Sequence, residues 1–213
     1  MHIFEEQLNI AADNKIEEER AKKDKWRKKG CPPKKSAGSM CELLFPGKIS
    51  TQSWNVKFGH IMEAALKACI PRAWELDITH IVCKDAKITK KSKKSKRTQL
   101  DIIFKQGDTI FYLESKNNLN LDTTKRPGEV SKVDAVKEAL QQEYPGKKVV
   151  NKIVCGRLPT TPAILGEYGE GDLSSDNVIG YNDFFALLGV PPINPKDWAR
   201  MIADQGDKFE TVS

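Results

Sequence analysis

The sequence predicts an α/β fold built on a small mixed sheet flanked by helices. Two runs rich in β-branched and aromatic residues, 99–104 (Gln-Leu-Asp-Ile-Ile-Phe) and 109–116 (Thr-Ile-Phe-Tyr-Leu-Glu-Ser-Lys), flank Gly107-Asp108 and read as an antiparallel hairpin. Ahead of them, 57–70 places Phe58, Met62, Ala65, Leu66 and Cys69 on one helical face and stops at Pro71. Behind them, a helical stripe of Val133, Val136 and Leu140 leads into the apolar run 149–155. That pairing suits a helical crossover to an interior strand.

The remaining elements follow in order. Residues 3–29 predict a helix with a short apolar stripe (Phe4, Leu8, Ala11, Ala12) and a densely charged second half. It suits a dimerisation arm, a DNA-contacting arm or a tail. Gly30-Cys31-Pro32-Pro33 ends it, and 34–39 reads as a basic loop. Residues 76–83 suit a short strand. The stretch 84–97 holds eight basic residues and one acidic one, without periodicity, and reads as a solvated connection into the strand that carries Asp101. The helix at 130–144 stops at Pro145-Gly146. A short strand at 178–180, a helix at 182–188 and a last helix at 196–203 complete the chain, with no internal repeat.

Net charge is +6, unevenly spread. Residues 1–156 carry 31 Lys and Arg against 20 Asp and Glu, whereas residues 157–213 carry 4 against 9. A basic segment of that kind attracts polyanions through phosphate contacts, although basic runs also serve as solubilising surface. The five cysteines include no CxxC pair, which argues against structural zinc. Cys69, Cys83 and Cys155 sit in apolar surroundings and read as core residues; Cys31 and Cys41 flank one loop, a spacing compatible with a disulfide. The charged N-terminal stretch does not read as a signal peptide, and no apolar run reaches membrane-spanning length, so the expectation is a cytoplasmic protein of a reducing compartment with no membrane partner.

Three charged residues in the hairpin are out of place in a hydrophobic core. Strand alternation puts Glu114 and Lys116 on one face, and the hairpin brings Asp101 beside them. Two carboxylates and an ammonium can bind a divalent cation and position a water. The competing reading makes Glu114 and Lys116 the solvated face of an edge strand, where charges discourage aggregation.

This constellation resembles the PD-(D/E)xK nuclease superfamily, with Asp101 as the first acid and Glu114-Ser115-Lys116 as the E-x-K element. Leu100 stands where the motif's name has proline. The resemblance spans roughly residues 55–156 and implies a restriction-endonuclease-like αβββαβ core. It leaves 1–54 as a basic helical arm and loop, and 157–213 as an extension packed on the core. The polar run after Lys116 looks like those of type II restriction endonucleases, and 59–63 resembles a first core helix whose glutamate, here Glu63, approaches the site. The resemblance implies Mg²⁺ held by Asp101, Glu114 and the Ser115 carbonyl, with Lys116 orienting the attacking water. It further implies double-stranded DNA as substrate and a homodimer matched to a two-fold site. Candidate DNA contacts are Lys90, Lys91, Lys93, Lys94, Lys96, Arg97, Asn117 and Asn118, with the basic stretch 22–35 second. A repair or junction-resolving nuclease, or a non-catalytic DNA-binding module on the same fold, are the alternatives. His60 reads as a surface residue, and the four tryptophans as packing anchors.

Overall fold

The computed structural model describes residues 2–28, 51–83, 96–117, 119, 126–169 and 171–210. The expected loop at 34–39, Cys31, Cys41 and residues 84–95 of the basic stretch lie outside them. The fold is mixed α/β, with six α-helices among the described residues and a small mixed sheet. The chain divides into two compact units, Met1–Cys69 with Ile193–Ser213, and Ile70–Pro192. These differ from the expected segments 1–54, 55–156 and 157–213, because the helix expected to open the core packs instead on the N-terminal helix.

Among its described residues the first unit contains three α-helices. Helix α1 (Ile3–Lys28) buries Phe4, Leu8, Ala12 and Ile16, an i, i+4 stripe one turn longer than the sequence suggested. Helix α2 (Thr51–Ala68) starts six residues earlier than expected and buries Ile61, Met62, Ala65 and Leu66. Lys57 on α2 pairs with Glu19 on α1 at 2.8 Å. The last helix (Pro195–Glu210, α6 below) extends well past the expected Ala203. Its Trp198 stacks on Phe4 with ring centroids 4.7 Å apart, as expected of a packing anchor.

The second unit carries the sheet. Strands β1 (His80–Cys83) and β2 (Lys96–Gln99) form an antiparallel ribbon. Strands β3 (Ile102–Gln106) and β4 (Thr109–Lys116) form the expected hairpin. Gly107 turns it at φ +59°, a conformation that favours glycine. Phe104 stacks on its cross-strand partner Phe111 at 4.9 Å, which helps to pin the register. Helix α3 (Arg126–Glu143) crosses over to β5 (Lys148–Cys155), which runs parallel to β4. Helix α4 (Thr161–Tyr168) leads to β6 (Val178–Gly180), parallel to β5, and helix α5 (Tyr181–Leu187) follows. The strand order is β3-β4-β5-β6, so β4 and β5 are interior. Val133, Val136 and Leu140 of α3 are buried in one core with Ile110 and Tyr112 of β4 and Val149 and Ile153 of β5.

Two expectations need correction. The run 99–104 is not one strand: the Leu100 amide still donates to Thr79 of the ribbon at 2.9 Å, and pairing with β4 begins only at Ile102. Asp101 therefore stands at the step between two sheets, not within a strand. Helix α4 was not anticipated, because Pro162 and Gly166 weaken its helical pattern; Thr160 caps it through an Oγ1 that accepts from the Ala163 amide. Cys69, Cys83 and Cys155 are free and buried, as expected. Among the described residues, no helix is long and apolar enough to cross a membrane.

Candidate functional site

Strand parity builds the site. Ile110, Tyr112, Glu114 and Lys116 alternate along β4, and Ile110 and Tyr112 belong to the core beneath α3. Glu114 thus continues a buried face and is itself only 1 % exposed. Burial of Glu114 does not suit the competing reading, in which it belongs to a solvated strand face, although at 114–116 β4 pairs with β5 alone. A buried carboxylate must find partners, and Glu114 has three. Its Oε2 accepts from the Tyr112 hydroxyl at 2.6 Å. Its Oε1 accepts from Lys132 of α3 at 2.6 Å and pairs with Lys116 at 2.9 Å.

Lys116 also reaches Glu129, one turn before Lys132 on α3, at 3.2 Å. Glu129 and Lys132 lie three apart, so the helix presents both to β4. The four charges alternate in sign around a compact group. Burial alone acts to raise the Glu114 carboxyl. The hydrogen bonds from Lys132 and Tyr112 and the charge of Lys116 outweigh it, so Glu114 is held below the usual carboxylate range. Burial acts to lower Lys116, but Glu114 and Glu129 outweigh it and hold the ammonium above its ordinary range. Tyr112 is pushed up by burial and by the Glu114 charge, and so stays a neutral donor.

Asp101 joins the same strand end. The Ser115 amide donates to Asp101 Oδ2 at 3.0 Å, so a carboxylate takes over from β3 where its backbone pairing with β4 stops. The hairpin register, with Ile102 opposite Leu113, carries Asp101 to the level of Glu114. Asp101, Glu114, Ser115 and Lys116 are therefore brought together. Glu63 lies in the other compact unit, on α2, where it pairs with Lys67 at 2.9 Å.

Of the candidate DNA contacts, Arg97 is exposed on β2, Lys96 opens that strand, and Asn117 is partly buried directly after β4. Lys90, Lys91, Lys93, Lys94 and Asn118 lie outside the described residues. His60 is exposed, as expected. Tyr112, Glu129 and Lys132 were not anticipated. The Tyr112-x-Glu114-x-Lys116 alternation carried a signal for the tyrosine, but nothing local tells which turn of α3 lies over Glu114.

Among the described residues, no group of three or more His, Cys, Asp or Glu is arranged to hold a metal ion. Magnesium asks for less: one or two carboxylates, water and a substrate phosphate. Asp101 and Glu114 supply that oxygen chemistry on one strand end. Comparison with known proteins finds no matching family model, no matching curated protein and no matching solved structure.

Proposed function

We propose that the protein is a Mg²⁺-dependent endonuclease that hydrolyses phosphodiester bonds in double-stranded DNA, acting as a homodimer of the type II restriction kind. The observation that carries this reading is the gathering of Asp101, Glu114 and Lys116 at one end of β4, the Asp101 carboxylate on the Ser115 amide and Glu114 paired with Lys116. Asp101 and Glu114, with the Ser115 carbonyl, are the groups to hold the cation. When bound, Mg²⁺ supplies Lewis-acid stabilisation of the scissile phosphate and lowers the pKa of a water.

The chain's own residues do the rest. The Ser115 amide fixes the Asp101 carboxylate, and Tyr112 fixes that of Glu114, so neither has to be ordered when substrate arrives. Lys116 orients the attacking water and offsets negative charge as the phosphorus becomes five-coordinate. Water attacks in line, its proton passes to solvent, and the leaving oxygen departs with the bonding pair. The basic stretch 84–97, which precedes Asp101 in the chain, supplies backbone contacts to DNA.

The test is cleavage of unmodified phage or plasmid DNA with Mg²⁺. Wild type should give discrete fragments, and Lys116→Ala should lower the rate about a thousandfold or more, roughly 4 kcal/mol of transition-state stabilisation. Binding without cutting at every Mg²⁺ or Mn²⁺ concentration overturns the enzyme reading. That outcome favours a second reading, a non-catalytic DNA-binding module. It draws support from Glu114, both of whose carboxylate oxygens already have partners on the protein.

A further inference from the structure

Glu114 Oε1 faces two ammoniums, Lys132 at 2.6 Å and Lys116 at 2.9 Å. A divalent cation can reach that oxygen only if one of them gives way, since unlike the carboxylate both repel it. The two lysines are not equivalent. Lys116 has a second anchor in Glu129 at 3.2 Å and is the less exposed. Lys132 has Glu114 as its one ion-pair partner among the described residues, and its side chain is 36 % exposed. Lys132 is therefore the one whose departure costs less, because water or an external phosphate can take over its hydrogen bonds.

We propose that Lys132 is a positioning residue that acts as a counter-charge latch. It holds Glu114 Oε1 in the cation-free protein and releases that oxygen to a divalent cation as its ammonium turns to a DNA phosphate. The proposal rests on the reading of Glu114 as a cation ligand and deepens it. Metal binding and DNA binding then assist each other, because the cation frees the ammonium for a phosphate and the phosphate draws the ammonium off the cation's oxygen. The latch also keeps a buried carboxylate neutralised while no cation is present, which is its structural contribution.

The experiment is calorimetric titration of Mn²⁺ into the full chain as wild type, Lys132→Met, Lys132→Arg and Glu114→Gln, with and without a mixed-sequence DNA duplex, after circular dichroism has verified folding. Lys132→Met keeps the aliphatic stem and leaves Glu114 paired with Lys116 and Tyr112. Without DNA it should bind Mn²⁺ about tenfold more tightly than wild type, since one opposing charge is gone. Lys132→Arg should behave as wild type. Adding duplex should tighten Mn²⁺ binding in both wild type and Lys132→Met, but by clearly less in Lys132→Met, where only ligation by the phosphate remains to be gained. A residue that only stabilises the fold predicts no tightening, so equal or weaker binding by Lys132→Met overturns the latch. If Glu114→Gln loses Mn²⁺ while Lys132→Met matches wild type, the latch falls and the cation site stands. If Glu114→Gln binds as wild type does, or no variant binds, the latch and the underlying reading fall together.

Discussion

Glu114 shows how one buried charge organises its surroundings. An isolated carboxylate at this depth is unfavourable, yet three donors converge on it and keep it ionised. A carboxyl held below its ordinary value of 4.5 stabilises the fold fully above that value. The stabilisation is lost as pH falls through the lower value the folded protein imposes. Lys116, held above its ordinary 10.5, contributes fully below that value and loses its contribution as pH rises through the raised one. The group is therefore intact through the neutral range and fails at both ends. Thermal unfolding followed from pH 3 to 8 should show an acid limb that is visibly flatter in Glu114→Gln; an unchanged limb would mean that other carboxylates govern acid unfolding. At this scale much of the site was readable in advance. Period-two alternation forces Glu114 and Lys116 onto one face whatever else the chain does. Alternation does not tell which face is buried, because Phe111 and Leu113 make the opposite face apolar as well.

Among the elements, the β3–β4 hairpin and the β4-α3-β5 crossover position the chemistry, and both follow from local pattern: a glycine turn, β-branched runs and a helical stripe. The step at Leu100–Asp101 does not. It exists because the chain leaves the β1–β2 ribbon to join the larger sheet, a choice set by long-range pairing. Helix α4 shows another device. Gly180, at the end of β6, passes so close to the Pro159–Thr160 peptide that an added Cβ would lie 2.3 Å from its backbone atoms. Backbone cannot yield as a flexible side chain can. Gly180→Ala should therefore cost about 1–3 kcal/mol by overpacking. Gly166→Ala, inside α4 with open space around it, should gain about 0.5–1 kcal/mol from helix propensity. Urea unfolding midpoints check both, and a Gly180→Ala protein as stable as wild type would show that the close approach relaxes freely.

For the whole molecule, charge and unit division matter most. Basic residues are in excess before residue 157 and acidic ones after it, and the proposed DNA contacts are placed in the first part of the chain on that ground. Replacing Lys90, Lys91, Lys93 and Lys94 together by Ala should weaken duplex binding and reduce the slope of log affinity against log salt by about 0.9 for each phosphate that is no longer neutralised. Fluorescence anisotropy over a salt series measures this, and an unchanged slope would place the phosphate-binding residues elsewhere. The two compact units were hidden from a linear reading, because Ile193–Ser213 joins Met1–Cys69 across the intervening unit. By itself, the sequence determined the α/β class, the hairpin, the shared face of Glu114 and Lys116, and the charge asymmetry. Each depends on residue identity and short-range periodicity. Only the tertiary structure decided that β4 lies between β3 and β5, that Asp101 caps the Ser115 amide from a step between sheets, and that Lys132 closes on Glu114 and Glu129 on Lys116. Those outcomes depend on which strand pairs with which, and on how one helix lies across a sheet. Such pairings join residues well separated along the chain, so no local pattern encodes them.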